Sequence, residues 1–367
     1  MLQLNNSHPL HQLLRYFTFW MASVGIANIA HAEFFLERHT DAQFPARDSA
    51  LGIEHNGSMW MMGGYTNFFG YPAQRLNDIW QSSDGFNWVN TQPVSSVWQP
   101  RNLPFGFSLG GSMWVMGGTD GHAMFDDIWS SENGANWQLH NSASHFSARA
   151  GAFSTTFNNQ MFVMGGANDL AGHASNDIWR SSNGNDWELV NASANWAPRS
   201  FGGLVTFHGK MWLLGGGVYD QNLANNNAGN YNDIWSSEDG ITWNLEVSSA
   251  PWSERRFFSS AVYDGKIWVI GGYNTQNLND VWVSSNGTDW DKVEFSNMWT
   301  PRHASSLLAF NNSLFLLGGN GDVVVNSQVW TITAIPEPSS LFLLTGPCLV
   351  LVAVSFGRFR LGRTTAT

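Results

Sequence analysis

Six times along this chain a stretch of small and apolar residues runs into a tight turn. A strongly apolar run follows each turn and stops at a glycine pair. In the first pass Arg47 leads the small-residue stretch, Asn56-Gly57 turns it, and Met59-Trp60-Met61-Met62 ends at Gly63-Gly64. After a gap of variable length come Asn77-Asp78-Ile79-Trp80, a Ser/Asp/Gly turn and a second tryptophan, Trp88. The later glycine pairs end at Gly118, Gly166, Gly216, Gly272 and Gly319, a period of roughly fifty residues. Short runs separated by turn pairs that tolerate positive φ predict four antiparallel strands per pass. Small residues after each arginine suit an innermost strand, where blades crowd toward an axis. The expected fold class is all-β, a six-bladed β-propeller.

Nineteen of the twenty tryptophans fall on this register in four columns, with Phe as the substitute. Trp60, Trp114, Trp212 and Trp268 share the second strand with Phe162 and Phe315. Trp80, Trp129, Trp179, Trp235, Trp282 and Trp330 occupy the third, and Trp88, Trp137, Trp187, Trp243 and Trp290 open the fourth. Trp98, Trp196, Trp252 and Trp299 stand three residues before the arginine, as do Phe44 and Phe146. A column at fixed spacing is inter-blade core, because each ring buries a large apolar area. The sixth pass ends after Val329-Trp330-Thr331 without a fourth strand. Phe35 stands twelve residues before Arg47, as Trp137 does before Arg149, so Phe35-Leu36-Glu37 is expected to align with Trp137-Gln138-Leu139. The N-terminal strand then completes the last blade and leaves no open interface. The repeats fall at about 47–97, 98–145, 146–195, 196–251, 252–298 and 299–334, the last completed by 33–46.

The formal net charge is -11 with a pI near 5.3, and no basic stripe exists to meet phosphates, so a nucleic-acid partner is not expected. The lone cysteine, Cys348, lies outside the repeats, which leaves the propeller without a disulfide. Both ends carry addresses. Arg15, the apolar stretch 16–29 and Ala30-His31-Ala32 read as a secretory signal over residues 1–32, cleaved after Ala32. Pro336-Glu337-Pro338 precede an apolar segment, 341–356, and then Arg358, Arg360 and Arg363. As a single hydrophobic helix that segment reaches ~24 Å, slightly short for a bilayer, with the arginines kept cytoplasmic. This ending, residues 335–367, resembles the PEP-CTERM sorting signal of Gram-negative bacteria that make an extracellular matrix. The resemblance implies an exosortase-type sorting enzyme as partner and transient anchoring in the inner membrane. Its destination would be the cell envelope, cell surface or extracellular matrix. Removal of the tail and its retention as a plain membrane anchor both stay open.

The glycine pair closing an apolar strand, the downstream tryptophan and the openers Pro100-Arg101, Pro198-Arg199 and Pro301-Arg302 resemble Kelch repeats, in register over about residues 33–334. Kelch-type propellers include copper radical oxidases such as galactose oxidase, sugar-acid epimerases and non-catalytic binding modules. The oxidases need a cysteine cross-linked to a copper-ligating tyrosine, and the propeller has no cysteine, so that chemistry is disfavoured. The turn Ser82-Ser83-Asp84-Gly85-Phe86-Asn87-Trp88 also resembles the Asp-box turn of sialidase-type propellers, one residue shorter.

His122, His145, His173 and His303 show no ligand spacing, so neither a metal nor another cofactor is called for. Arg47, Arg101, Arg149, Arg199, Arg255 and Arg302 form a ring that could clamp an anion. Six-fold repetition favours the alternative, arginines bonding loop carbonyls between neighbouring blades; Arg101 and Arg199 stay among the ligand-binding candidates. The repeated Asp78, Asp127, Asp177, Asp233 and Asp280 read as loop-fixing acceptors. Off-register acids are Glu54 and Glu254, neither with an evident partner. Strand alternation puts the loops between second and third strands on the arginine face, and two are long. Residues 64–77 carry Tyr65, Phe68, Phe69 and Tyr71; residues 216–232 carry Tyr219 and Tyr231. Varied loops on a rigid scaffold are where partners are read. The function expected is an exported surface or matrix binding module for carbohydrate or a surface protein. The alternative is an epimerase-like or sialidase-like enzyme on extracellular sugars, which requires an acid/base pair with off-register Arg or His in the axial mouth.

Overall fold

The computed structural model describes residues 34–67, 72–142, 144–218, 229–322 and 324–335. The secretory segment with Ala30 and Ala32, the hydrophobic segment 341–356, and Pro336, Glu337, Pro338, Arg358, Arg360 and Arg363 lie outside them. No helix among the described residues is long and apolar enough to cross a membrane.

The turn pairs do what their sequence requires. Asn56 and Gly57 both take positive φ, 49° and 70°, as do His208 with Gly209 and Asp264 with Gly265, and each pair joins an inner strand to its neighbour. A first strand, β1 (Phe34–Arg38), precedes five complete four-stranded meanders. These are β2 (Leu51–His55), β3 (Ser58–Thr66), β4 (Gln74–Ser82) and β5 (Val89–Asn90), then β6 (Phe105–Leu109), β7 (Ser112–Met116), β8 (Ile128–Ser131) and β9 (Gln138–His140). The third and fourth blades hold β10 (Phe153–Phe157), β11 (Gln160–Met164), β12 (Ile178–Ser181) and β13 (Glu188–Asn191), then β14 (Gly203–Phe207), β15 (Lys210–Gly217), β16 (Asn230–Ser237) and β17 (Asn244–Val247). The fifth holds β18 (Ser259–Tyr263), β19 (Lys266–Tyr273), β20 (Asn277–Ser284) and β21 (Asp291–Val293). In the sixth, β22 (Ser306–Phe310), β23 (Ser313–Leu317) and β24 (Val329–Ala334) are completed by β1.

The ring closes as expected but one residue out of the expected register. Arg38 faces Trp330 and Glu37 faces Thr331, whereas Leu139 faces Trp129 and Gln138 faces Ser130. Leu36, not Phe35, therefore holds the place of Trp137. The cause is chain length: nine residues separate Arg38 from Arg47, and ten separate Leu139 from Arg149. Phe35 consequently points to solvent, 56% exposed, while Phe34 is buried edge-on against Trp268 at 4.7 Å.

Six apolar cores each take residues from two adjacent blades. One joins Trp60 and Met62 of the first blade to Trp98, Val115 and Trp137 of the second. Another joins Phe44 and Met59 to Phe315 and Val329 across the closure. Trp98, Trp196, Trp252 and Trp299 are among the most buried side chains. Trp98 meets Trp137, and Trp252 meets Trp290, edge to face at 4.6 and 4.4 Å. The outer turn of one blade also seats on the second-strand aromatic of the blade before: a Cβ at Gly134 would lie 2.1 Å from the Trp60 ring. Only glycine fits that approach.

Candidate functional site

The face bearing the arginines is organised by a closed circle of backbone hydrogen bonds. Two residues after each register arginine the chain turns left-handed, at Ser49, Leu103, Gly151, Phe201, Phe257 and Ala304, with φ between 53° and 57°. The Leu103 amide donates to the Ser49 carbonyl at 2.9 Å, Gly151 to Leu103 at 3.0 Å, and Phe201 to Gly151 at 3.1 Å. Phe257 donates to Phe201 at 2.7 Å, Ala304 to Phe257 at 2.7 Å, and Ser49 to Ala304 at 2.9 Å. One bond per blade thus encircles the axis. Beneath it lies an axial cavity of about 240 Å³ lined by Phe105, Phe153, Ser154, Phe258, Ser260 and other inner-strand residues.

The register arginines are bolts inside their own blades. Arg199 is fully buried; its Nη1 and Nη2 donate to the two carboxylate oxygens of Asp233 at 2.5 and 2.8 Å, its Nη1 to Gly215 O at 3.1 Å and its Nε to Ala197 O at 3.0 Å. Asp233 also accepts the Trp235 indole N–H at 2.8 Å. The same three-way joint recurs with Arg47, Asp78 and Trp80, with Arg101, Asp127 and Trp129, with Arg149, Asp177 and Trp179, and with Arg255, Asp280 and Trp282. Burial alone would raise the Asp177 and Asp280 carboxyls, but hydrogen bonds and charge from Arg149 and Arg255 hold both below the ordinary value. Contacts between blades run through the arginine backbone instead: Arg101 N donates to Leu76 O, and Arg101 O accepts from Gly64 N. The expected contact of arginine side chains with loop carbonyls thus holds within a blade, not across two.

The sixth joint has no carboxylate. Arg302 meets Asn326 Oδ1 at 3.0 Å and Gln328 Oε1 at 2.6 Å, and Gln328 takes the Trp330 indole. Burial, with repulsion from Arg38 as the next cause, pulls the Arg302 guanidinium down to about 10.

The candidate residues that are described are not gathered into one place: they belong to the first, second and fourth blades. Phe68, Phe69, Tyr71 and Tyr219 lie outside the described residues. Tyr65 belongs to the first blade, where its ring is 5.6 Å from the Arg75 guanidinium. Tyr231 belongs to the fourth, with the Arg199 guanidinium 4.2 Å from its ring. Arg101 and Arg199, 1% and 0% exposed, commit four of five N–H donors to blade atoms. A ligand on this face meets other groups first. Glu54 caps the Asn56-Gly57 turn, accepting from the Gly57 amide, and Glu254 is exposed.

What the register hid is the residue directly after each arginine: Asp48, Asn102, Ala150, Ser200, Arg256 and His303. Each pairs with the strand or loop after the glycine pair, Asp48 with Tyr65, Arg256 with Tyr273 and His303 with Asn320, on the rim of the mouth. This column changes chemistry from blade to blade, and its ionisable members cluster on blades five, six and one. Asp48 is buried and accepts from Asn320 Nδ2 at 2.9 Å; burial pushes its carboxyl up to about 6 against the lowering effect of Ser49 and Asn320. His303 Nδ1 lies 2.6 Å from Asn277 Oδ1, and Asn277 Nδ2 donates to Asp322 Oδ1 at 2.8 Å. Burial, and then the Arg256 charge, take the imidazole down to about 4. Arg256 donates to Asn230 Oδ1 at 3.0 Å, with its guanidinium near the rings of Tyr273 and Phe257. No group of three or more metal-ligating side chains occurs among the described residues.

A family model described as the KLHDC2/KLHL20/DRC7 Kelch-repeats domain matches residues 133–319, just over half of the chain. No curated protein matches it.

Proposed function

The chain belongs to the Kelch-repeat family, and on that premise we propose that it is an exported binding module. It holds a protein or carbohydrate partner on the face of the arginine loops. One observation carries the reading: the scaffold repeats six times, yet the rim residue after each arginine differs in every blade. A fold needs the repeat; only a partner can use the difference. Export and residence in the cell envelope, surface or matrix rest on the terminal segments, with an exosortase-type enzyme acting on the tail.

The sugar-enzyme alternative has one feature in its favour, the Asp322–Asn277–His303 chain of hydrogen bonds. An imidazole held near 4 is a weak base at neutral pH, however, and Glu54 is tied to a turn outside the mouth. Binding is the better conclusion.

Hydroxyl-radical footprinting of the full-length chain, with and without envelope polysaccharide or envelope protein extracts, tests it. Protection is expected at Tyr65, Phe257 and Tyr273. Protection confined to the turns at Asn158 and His208 would overturn the choice of face. Alanine at Phe68 or Tyr219 is expected to weaken capture by about 1–2 kcal/mol each if those loops share the site. Intact-mass analysis of the surface form tests the cuts after Ala32 and near Pro336.

A further inference from the structure

The rim is lopsided. At the left-handed ring positions blades two and three carry Leu103 and Gly151, whereas blades four and five carry Phe201 and Phe257, stacked at 4.2 Å with 25° between planes. The backbone circle demands the conformation, not the aromatic side chain, since Gly151 and Ala304 fill it elsewhere. A bulky residue is rare at such φ. Neither phenylalanine joins any of the six inter-blade cores, and both remain partly exposed. Phe201 packs on Gly151, and Phe257 on Phe201, Arg256 and His303, so the two rings form a partly exposed aromatic surface at the mouth rather than part of a core.

His303 continues the arc, 5.7 Å from Phe257 and 5.6 Å from Tyr273 between ring centroids. Its tautomer follows from its neighbours. The Asn277 amide donates its NH₂ to Asp322 Oδ1 and turns its oxygen, an acceptor only, to His303. Nδ1 of His303 therefore carries the proton, and Nε2 carries a lone pair with no hydrogen-bond partner among the described residues. Burial and Arg256 keep the ring neutral at physiological pH.

We propose that this arc is a saccharide subsite, in which an uncharged sugar ring lies against Phe257 and donates a hydroxyl to Nε2 of His303. The proposal rests on the arginine-loop face being the binding face. The apolar C–H face of a pyranose matches an aromatic ring, and its hydroxyls match fixed acceptors such as this imidazole and the exposed Asp322 carboxylate. Arg256 and Asp322 act on the imidazole with opposite sign, so the arc carries no net charge that would select an anion or an amine over an uncharged sugar.

Saturation-transfer NMR on the full-length chain in detergent, with glucose, galactose, mannose and N-acetylglucosamine as separate probes, tests the subsite. Phe257→Ala and His303→Ala should fold, because Ala304 and Ala150 already occupy the equivalent positions in other blades; near-ultraviolet circular dichroism checks this. At least one sugar should bind, and each variant should weaken it about tenfold, the scale of one lost hydrogen bond or ring contact. Leu189→Ser, on an outer strand, should leave binding unchanged. Absence of transfer to all four sugars overturns the subsite, as does sugar binding that neither variant changes. Loss of envelope-protein capture in both variants, without sugar binding, overturns the ligand class but keeps the face. Capture indifferent to both variants and to Tyr231→Ala would sink the face itself.

Discussion

Replacing Asp233 by leucine should expose how strongly the arginine bolts hold a blade together. Arg199 is fully buried, and Asp233 supplies both of its anionic contacts, at 2.5 and 2.8 Å, while keeping only 17% side-chain exposure. Leucine leaves the guanidinium with the Ala197 and Gly215 carbonyls and the Tyr231 ring but no anionic partner, and orphans the Trp235 indole. Removing one partner of a buried pair costs about 3–5 kcal/mol. Slight exposure of the carboxylate puts this case near the lower figure. Asp233→Asn keeps a neutral acceptor, as Asn326 and Gln328 do for Arg302, and should cost about 1.5–3 kcal/mol. Guanidinium titration followed by tryptophan fluorescence reads both, and in a thermal melt the leucine variant should lose roughly 6–10 °C. If both substitutions cost the same, or leucine costs under about 1 kcal/mol, the carboxylate is not the counter-charge that lets arginine stay buried.

Gln328→Asp in the sixth blade should raise stability by about 1 kcal/mol, because it gives Arg302 the carboxylate its five counterparts have; an unchanged melting temperature refutes this. Phe34→Ala should cost about 3–5 kcal/mol and Phe35→Ala almost nothing, measured by denaturant titration, and the reverse order would restore the register expected from spacing. Asp48 and His303 pull against each other in acid. With a folded value near 6 against the ordinary 3.8, Asp48 withdraws stability as pH rises from about 4 to 6. With a folded value near 4 against 6.5, His303 withdraws stability as pH falls through the same window. Asp48→Asn should therefore stabilise the chain at pH 7.5 by up to ~3 kcal/mol, and His303→Ala should flatten its acid limb; melts from pH 4 to 8 that match wild type refute both.

The repeat made the blades, the tryptophan columns and the closing strand legible, because each rests on spacing. The one-residue slip at Phe34 was not, since it depends on the length of a loop that makes no register of its own. The arginines and aspartates were visible as two columns, yet spacing alone does not say that two columns meet; only the folded blade brings Arg199 to Asp233 across 34 residues. The rim column from Asp48 to His303 stands beside the most regular residue of the repeat and is not visible there as a column of its own. The signal was its irregularity. Nothing in the chain marked those residues as a column until their pairing with the segment after each glycine pair was known.

The pairing of β1 with β24 has a mechanical consequence. Phe34 stands directly opposite Ala334, so the chain enters and leaves the propeller at one end of a single antiparallel ladder. Tension between those two points loads that ladder one hydrogen bond at a time, starting from the Phe34–Ala334 pair, rather than all rungs together. The force needed to peel it is accordingly small, and what yields first is the outer strand, with Phe34 pulled from Trp268. The other five blades and the axial circle of hydrogen bonds carry none of that load until β1 has gone. Peeling also bares the edge of β24, with its buried Trp330 and Ile332, so a propeller pulled by its ends would present one fresh strand to whatever lies beside it.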